Sequence, residues 1–202
     1  MGKPVRQLPN GSELIEACDP DKEQWRVIIE TPKGSRNKYK YADDFSCFQL
    51  AKVLPEGMVF PFDFGFLPCT RGADGDPLDV LLLMDQPTFC GCLILSRLIG
   101  VIEAMQTEKD GTTERNDRLV AVPLESRDFG KFRSLKDLDQ QMLDEIERFF
   151  GSYNEQSGKK FKLIGFHGPH RSESLARDGM KQFAKRHRRR RRVNKSSSKT
   201  RR

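Results

Sequence analysis

What most constrains this chain is the order of its two hydrophobic periodicities. Strand-like apolar runs occupy the chain up to residue 124, and helical spacing appears only from Ser134 onward. WRVIIE (25–30) and KYKY (38–41) read as strands separated by the turn-forming TPKGSRN, and a hairpin there would bring Glu30 near Lys38. CFQLAKVL (47–54) follows, then the turn PEG and MVFPFDFGFLP (58–68), which its two prolines mark as an edge strand or ordered loop. The alternating Phe60, Phe62, Phe64 and Phe66 predict core or cleft lining rather than a base-stacking platform. LDVLLLM (78–84) reads as a buried strand, CLILSRLIGVIEAM (92–105) as one bent strand or two, and DRLVAVPL (117–124) as another, after the polar loop 106–116. Five or six strands with short connections predict an antiparallel barrel. Between Ser134 and Phe150, Leu135, Leu138, Met142, Leu143, Ile146, Phe149 and Phe150 follow i, i+3, i+4, i+7, with Ser134 as N-cap and Gly151 as stop. A second helix over about 172–186 offers Leu175, Met180 and Phe183 as its inner stripe. Strands first and helices last make the class α+β.

At 202 residues this is one domain. The net charge of +7 is unevenly distributed, because twelve of the 36 basic residues and none of the 29 acidic ones lie in 181–202, leaving 1–180 at −5. Residues 1–185 are therefore read as the folded domain and 186–202 as a disordered Arg/Lys-rich tail, whose like charges repel and whose apolar content cannot offset chain entropy. Five consecutive arginines (188–192) could tether the chain to nucleic acid or polyphosphate in a salt-sensitive way. No stretch approaches the length of a membrane span, and the N-terminus lacks the apolar run of a signal peptide. Cys18, Cys47, Cys69, Cys90 and Cys92 are odd in number and contain no CxxC, which points to thiols in a reducing cytoplasm.

The densest chemistry is Asp74-Gly75-Asp76-Pro77-Leu78-Asp79 at the entrance to LDVLLLM. Three carboxylates there suit a hard cation such as Mg²⁺, which takes one or two carboxylates, keeps waters and accepts substrate phosphate. A solvated Asp-Gly turn is the competing reading. An EF-hand is excluded, because loop position five would be Leu78 and position six Asp79 instead of glycine.

DGDPLDV resembles the Asp-x-Asp-Pro-x-Asp signature of family I soluble inorganic pyrophosphatases. PFDFGFLP (61–68), IIETP with NKYKY, RLVAVP (118–123) and FFGSYN (149–154) are similar to further segments of that family, in order, over about residues 24–185. The resemblance implies an OB-like five-stranded antiparallel β-barrel with two main C-terminal helices packed outside. It also implies hydrolysis of pyrophosphate to two phosphates by a metal-activated water, with Mg²⁺ as cofactor or Mn²⁺ in its place, in a cytoplasmic homo-oligomer. By the same resemblance Asp74 and Asp79 bind metal, Glu30 holds a metal through waters, and Asp76 orients or deprotonates the attacking water. Lys38, Lys52, Arg118 and Tyr153 occupy positions that bind phosphate.

Several positions depart from the family pattern. Lys52 stands for an arginine, Phe60 and Phe64 for tyrosines, Lys40 for a glutamate and Asn154 for a lysine, while two metal-binding aspartates fall on Gln106 and Asn116. Glu108, Asp110 or Asp117 are the acids available as substitutes. Asp117 is taken as the metal-binding one, although it lies one residue out of step and needs a bulge to face the site. These departures leave a second reading open, in which the chain is a catalytically weakened or inactive pyrophosphatase-like binding protein. Glu103 reads as a ligand near the site or a solvent-facing strand residue.

Overall fold

The computed structural model describes residues 15–19, 22, 24–42 and 44–199. Its strands are β1 (Cys18–Asp19), β2 (Gln24–Thr31), β3 (Asn37–Ala42), β4 (Cys47–Val53), β5 (Asp63–Leu67), β6 (Leu78–Leu82), β7 (Leu93–Thr107), β8 (Thr113–Arg115), β9 (Arg118–Pro123) and β10 (Lys160–His167), and its helices are α1 (Gln140–Glu155) and α2 (Pro169–Lys199). The class is α+β, with a mixed sheet.

β2 pairs with both β5 and β7, so the pairings β2–β5–β6–β9–β7–β2 return on themselves. All of these pairs are antiparallel except β6–β9, which is parallel. The purely antiparallel expectation is corrected here by parity, since strands alternating in direction around a circuit of five must leave one neighbouring pair parallel. That pair places Asp79 directly opposite Arg118.

Burial follows from alternation. On β6, Val80 and Leu82 enter one core cluster with Trp25, Val27, Leu98 and Leu119, while Leu81, and Leu83 just past the strand, enter the other with Phe60, Phe64, Ile146 and Phe150. Segment 63–67 is an interior strand paired on both sides and buried throughout, not an edge; its prolines lie just outside it, at 61 and 68. Phe60, Phe62, Phe64 and Phe66 are all buried. The expected hairpin of segments 25–30 and 38–41 does not form, because β3 pairs with β4 in a separate two-stranded sheet. β10 was not anticipated; it alternates exposed and half-buried residues along β7.

The first helical region is divided. Ser134 caps a single 3₁₀ turn (Leu135–Asp137) through a capping box, and Asp139 caps α1 by accepting the Met142 N–H at 2.7 Å. α1 passes through Gly151, whose cost of about 1 kcal/mol relative to alanine is offset by the packing of Ile146, Phe150 and Tyr153. α2 begins earlier than expected and continues through residues 186–199, so the backbone of most of the expected disordered tail is helical. Arginine and lysine are good helix formers, and extending a helix already nucleated by packing costs little. Residues 200–202 of that segment lie outside the described residues. The buried stripe of α2 consists of small residues, Ser172, Ala176 and Gly179, with Leu175 and Met180 packed beside it. Close approach at Gly179 lets its carbonyl accept the Arg71 N–H at 3.1 Å, which fixes the start of the acidic loop. Among the described residues, no helix is long and apolar enough to cross a membrane.

Candidate active site

A cleft of about 490 Å³ opens where β6 and β9 begin, and the DGDPLD loop forms one wall. Thr70 sets the base of that loop: its hydroxyl donates to the Leu67 carbonyl at 2.6 Å and accepts the Leu78 N–H at 3.0 Å. The loop turns on Gly75 at φ +91°, with the Asp76 N–H donating to Asp74 Oδ1 at 3.1 Å. Asp74, Asp76 and Asp79 all line the cleft, with Glu30 from the end of β2.

These acids are mutually unfavourable as they stand. Burial pushes the Glu30 carboxyl up from 4.5 to about 7, the Asp79 charge adds to this, and the Tyr41 N–H bonded to Glu30 Oε1 at 2.9 Å opposes it. Burial also raises Asp79, against Lys38 and Arg118, and raises Asp74. Asp79 accepts no hydrogen bond among the described residues. An all-oxygen donor set whose negative charge Lys38, Lys40 and Arg118 only partly offset fits a hard divalent cation. No three His, Cys, Asp or Glu side chains among the described residues form a ready cage. Magnesium does not require one, since it is bound through few carboxylates and its own waters.

Cations occupy the other walls. Arg118 is buried with its guanidinium 4.1 Å from the Phe150 ring centroid; Nη1 donates to the Asn116 carbonyl at 2.8 Å, and Nε has no partner among the described residues. Lys38 Nζ lies 5.3 Å from the Phe64 ring and 5.4 Å from that of Tyr153. Lys52, opposite Lys38 in the β3–β4 ladder, puts its ammonium 4.9 Å from the Tyr153 ring and bonds Ser157 Oγ. Lys40 Nζ donates to Asp76 Oδ2 at 2.6 Å.

The hairpin β7–β8 closes the cleft. Gln106 stands opposite Glu114, and Asn116 Nδ2 donates to Gln106 Oε1 at 3.1 Å. Gln106 Nε2 in turn donates to Glu108 Oε1 at 2.6 Å, and Lys159 Nζ reaches Glu108 at 2.8 Å. Asp117 does not line this cleft, in contrast to its reading as a metal ligand there; it lines a neighbouring cavity that shares Asp74, Asp79 and Asn116 with the cleft. Its carboxylate accepts both Nε and Nη2 of Arg115, at 3.0 and 2.9 Å, and the Ala104 N–H at 3.0 Å. Glu103 is neither ligand nor solvent-facing; it is buried between Arg115 and Arg171.

With this geometry in place, comparison with known proteins is decisive. The family model described as Inorganic pyrophosphatase matches residues 27–184. The chain belongs to the inorganic pyrophosphatase family. It is 41% identical to the inorganic pyrophosphatase of Synechocystis over 140 residues, covering 69% of this chain and 80% of that one. It is 42% identical to that of Halalkalibacterium halodurans over 137 residues, covering 68% and 81%. The crystal structure of inorganic pyrophosphatase from Thermus thermophilus superimposes with a TM-score of 0.76 at 27% identity, over 85% of this chain and 97% of that one.

Seven of the nine residues singled out from the sequence, all except Lys52 and Asp117, line the cleft, and Lys52 borders it through Tyr153. Glu114, Ser157 and Lys159 were missed. The Asp110-Gly111 dipeptide between alternating residues was the available signal for the hairpin that carries Glu114. Asn154, in the position of an expected lysine, is buried and donates to the Phe150 carbonyl at 2.8 Å, while the lysine charge reaches the cleft five residues later from Lys159.

Proposed function

We propose that the chain hydrolyses inorganic pyrophosphate to two phosphates in this cleft, with magnesium as the divalent cofactor and manganese as a substitute. The observation that carries the reading is the Asp79–Arg118 pair at the cleft floor, where an acidic wall suited to cations meets a basic wall suited to phosphate oxygens. Asp74, Asp79 and Glu30 would hold the cation, which when bound neutralises charge on the phosphates and makes a nucleophilic water available near neutral pH. Arg118, Lys38, Lys52 and Tyr153 bind and orient the two phosphate groups, and the unpartnered Arg118 Nε supplies a donor already stripped of water. Asp76, exposed on the loop, orients the attacking water and accepts its proton once Lys40 releases it.

We further read the closed five-strand circuit as an OB-like barrel, and 1–185 as the catalytic unit. Cys47, Cys90 and Cys92 are unbridged thiols, in keeping with a cytoplasmic location. The exposed Phe45, Leu50 and Phe89 support a homo-oligomer. The basic segment 186–202 is assigned to polyanion tethering; deletion should remove RNA or polyphosphate binding and leave hydrolysis intact, and unchanged binding would end that assignment.

A second reading, a pyrophosphate binder of weakened turnover, is favoured by Lys40 seated on Asp76 and by the mutually bonded Gln106 and Asn116. Phosphate release with Mg²⁺ and then Mn²⁺, alongside Asp76→Asn, decides between them. Release that this substitution abolishes establishes the enzyme. Tight imidodiphosphate binding with no release under either metal establishes the binder.

A further inference from the structure

Each acidic wall of the cleft carries its own ammonium group. On the hairpin wall it is Lys159, tied to Glu108 at 2.8 Å. On the loop wall it is Lys40, whose Nζ lies 2.6 Å from Asp76 Oδ2, with Glu30 and Asp79 the next charges acting on it. Asp79, by contrast, has no hydrogen-bond donor among the described residues. The cleft is thus divided into a part whose carboxylates are in direct contact with an ammonium and a part, Asp79 with Glu30 and Asp74, where no ammonium is in contact and Lys38, Lys40 and Arg118 act on Asp79 from a distance. A divalent ion approaching Asp76 must displace an ammonium already in contact, and it feels that ammonium's repulsion wherever else it settles on this wall. The Lys40 side chain is half exposed on a flexible stem, so it yields without refolding its strand.

We propose that Lys40 is a resident cation of the cleft, supplying at Asp76 a positive charge that would otherwise fall to a divalent ion, so that the chain binds divalent ions fewer in number or more weakly than its carboxylates alone would allow. This rests on reading the cleft as the divalent-dependent pyrophosphate site.

The test is Mn²⁺ binding to the full chain without substrate, followed by the electron paramagnetic resonance of free Mn²⁺, for the parent, Lys40→Met and Lys40→Arg. Lys40→Met should bind one more Mn²⁺ per chain, or the same number at least about tenfold more tightly, while Lys40→Arg should superimpose on the parent. In an Asp76→Asn background the effect of Lys40→Met should shrink to within about twofold, because the ammonium has lost its seat. Equal binding by parent and Lys40→Met, an arginine variant that behaves like the methionine one, an undiminished effect in the Asp76→Asn background, or no Mn²⁺ bound by any chain would each overturn the proposal. Phosphate release from pyrophosphate by the parent is recorded in parallel. Its absence removes the enzymatic reading alone, since the Lys40 dependence of the Mn²⁺ count is read without turnover.

Discussion

Replacing Glu30 with glutamine should stabilise the metal-free protein, and only above a defined pH. Glu30 is 7% exposed, and burial pushes its carboxyl from 4.5 to about 7. Well below pH 4.5 the group is protonated in both states and contributes nothing to the difference, and at 4.5 the half-ionised unfolded chain contributes only about 0.4 kcal/mol. Between 4.5 and about 7 the folded chain retains a proton that the unfolded chain has released, so stability falls as pH rises through that window, and the whole cost is present above it. At 1.4 kcal/mol per tenfold change in proton affinity, the cost is on the order of 3 kcal/mol. Glutamine keeps an oxygen for the Tyr41 N–H and carries no charge. Urea unfolding in EDTA, followed by the fluorescence of Trp25, the single tryptophan and 2% exposed, should therefore place Glu30→Gln above the parent by up to about 3 kcal/mol at pH 8. At pH 4.5 the two should nearly coincide. Adding Mg²⁺ at pH 8 should close or reverse the gap, since an ion at a hundred times its Kd adds about 2.7 kcal/mol to the chain that binds it. A gap independent of pH, or a glutamine variant less stable than the parent at pH 8 in EDTA, would refute the charge argument.

Asp117→Asn should lower stability by about 1–3 kcal/mol in urea titration, by loosening the bidentate Arg115 pair, while pyrophosphate turnover stays within about twofold of the parent. A collapse of turnover with stability unchanged would return Asp117 to the site. Arg118→Met should cost at least about a hundredfold in kcat/KM, through the loss of a desolvated phosphate donor; a change in KM below threefold with kcat intact would remove Arg118 from substrate binding. Gly65→Ala should destabilise by about 3 kcal/mol or more, because its Cβ would lie 2.1 Å from the Ile28 carbonyl oxygen of the paired strand β2. An unchanged urea midpoint would show that β2 and β5 separate easily.

The extent of the sheet was legible from apolar runs because β6, β7 and β9 bury side chains in both core clusters and β2 in one of them. β10 escaped because KFKLIGFH is only half-buried and its Lys-Phe-Lys-Leu alternation is short, with exposed Ile164 following Leu163 and a register shift at Gly165. α2 was recognised, and Leu175 and Met180 of its expected stripe pack against the core, but the fully buried residues of its contact face were not expected. A stripe search looks for large apolar side chains, whereas Ser172, Ala176 and Gly179 make the contact by being small enough for backbone to approach backbone. In the site, the DGDPLD motif was legible because loop, strand start and carboxylates are contiguous in sequence.

The hairpin wall was not legible in this way, and Asp117 shows why. Residues 116–117 join β8 to β9 and belong to neither strand; there Asn116 lines the cleft while Asp117 bonds Arg115 and the Ala104 N–H. The register shift of the β7–β9 ladder falls between Leu98 and Gly100, near Val120 and Ala121, and so lies beyond the start of β9 and does not bring Asp117 into the cleft. The acids that do line this wall arrive by reversal of the chain. Gly111 at φ +87°, with the Thr112 N–H bonded to Asp110 Oδ1 at 2.9 Å, turns the hairpin so that Gln106 and Glu114 stand opposite each other on one face and Thr107 and Thr113 on the other. Counting from a motif locates residues only as far as the strand that carries it. Past a turn, the cross-strand register decides which acids reach the cleft, and here it delivers Glu114, together with Glu108, to the cleft, which Asp117 does not line.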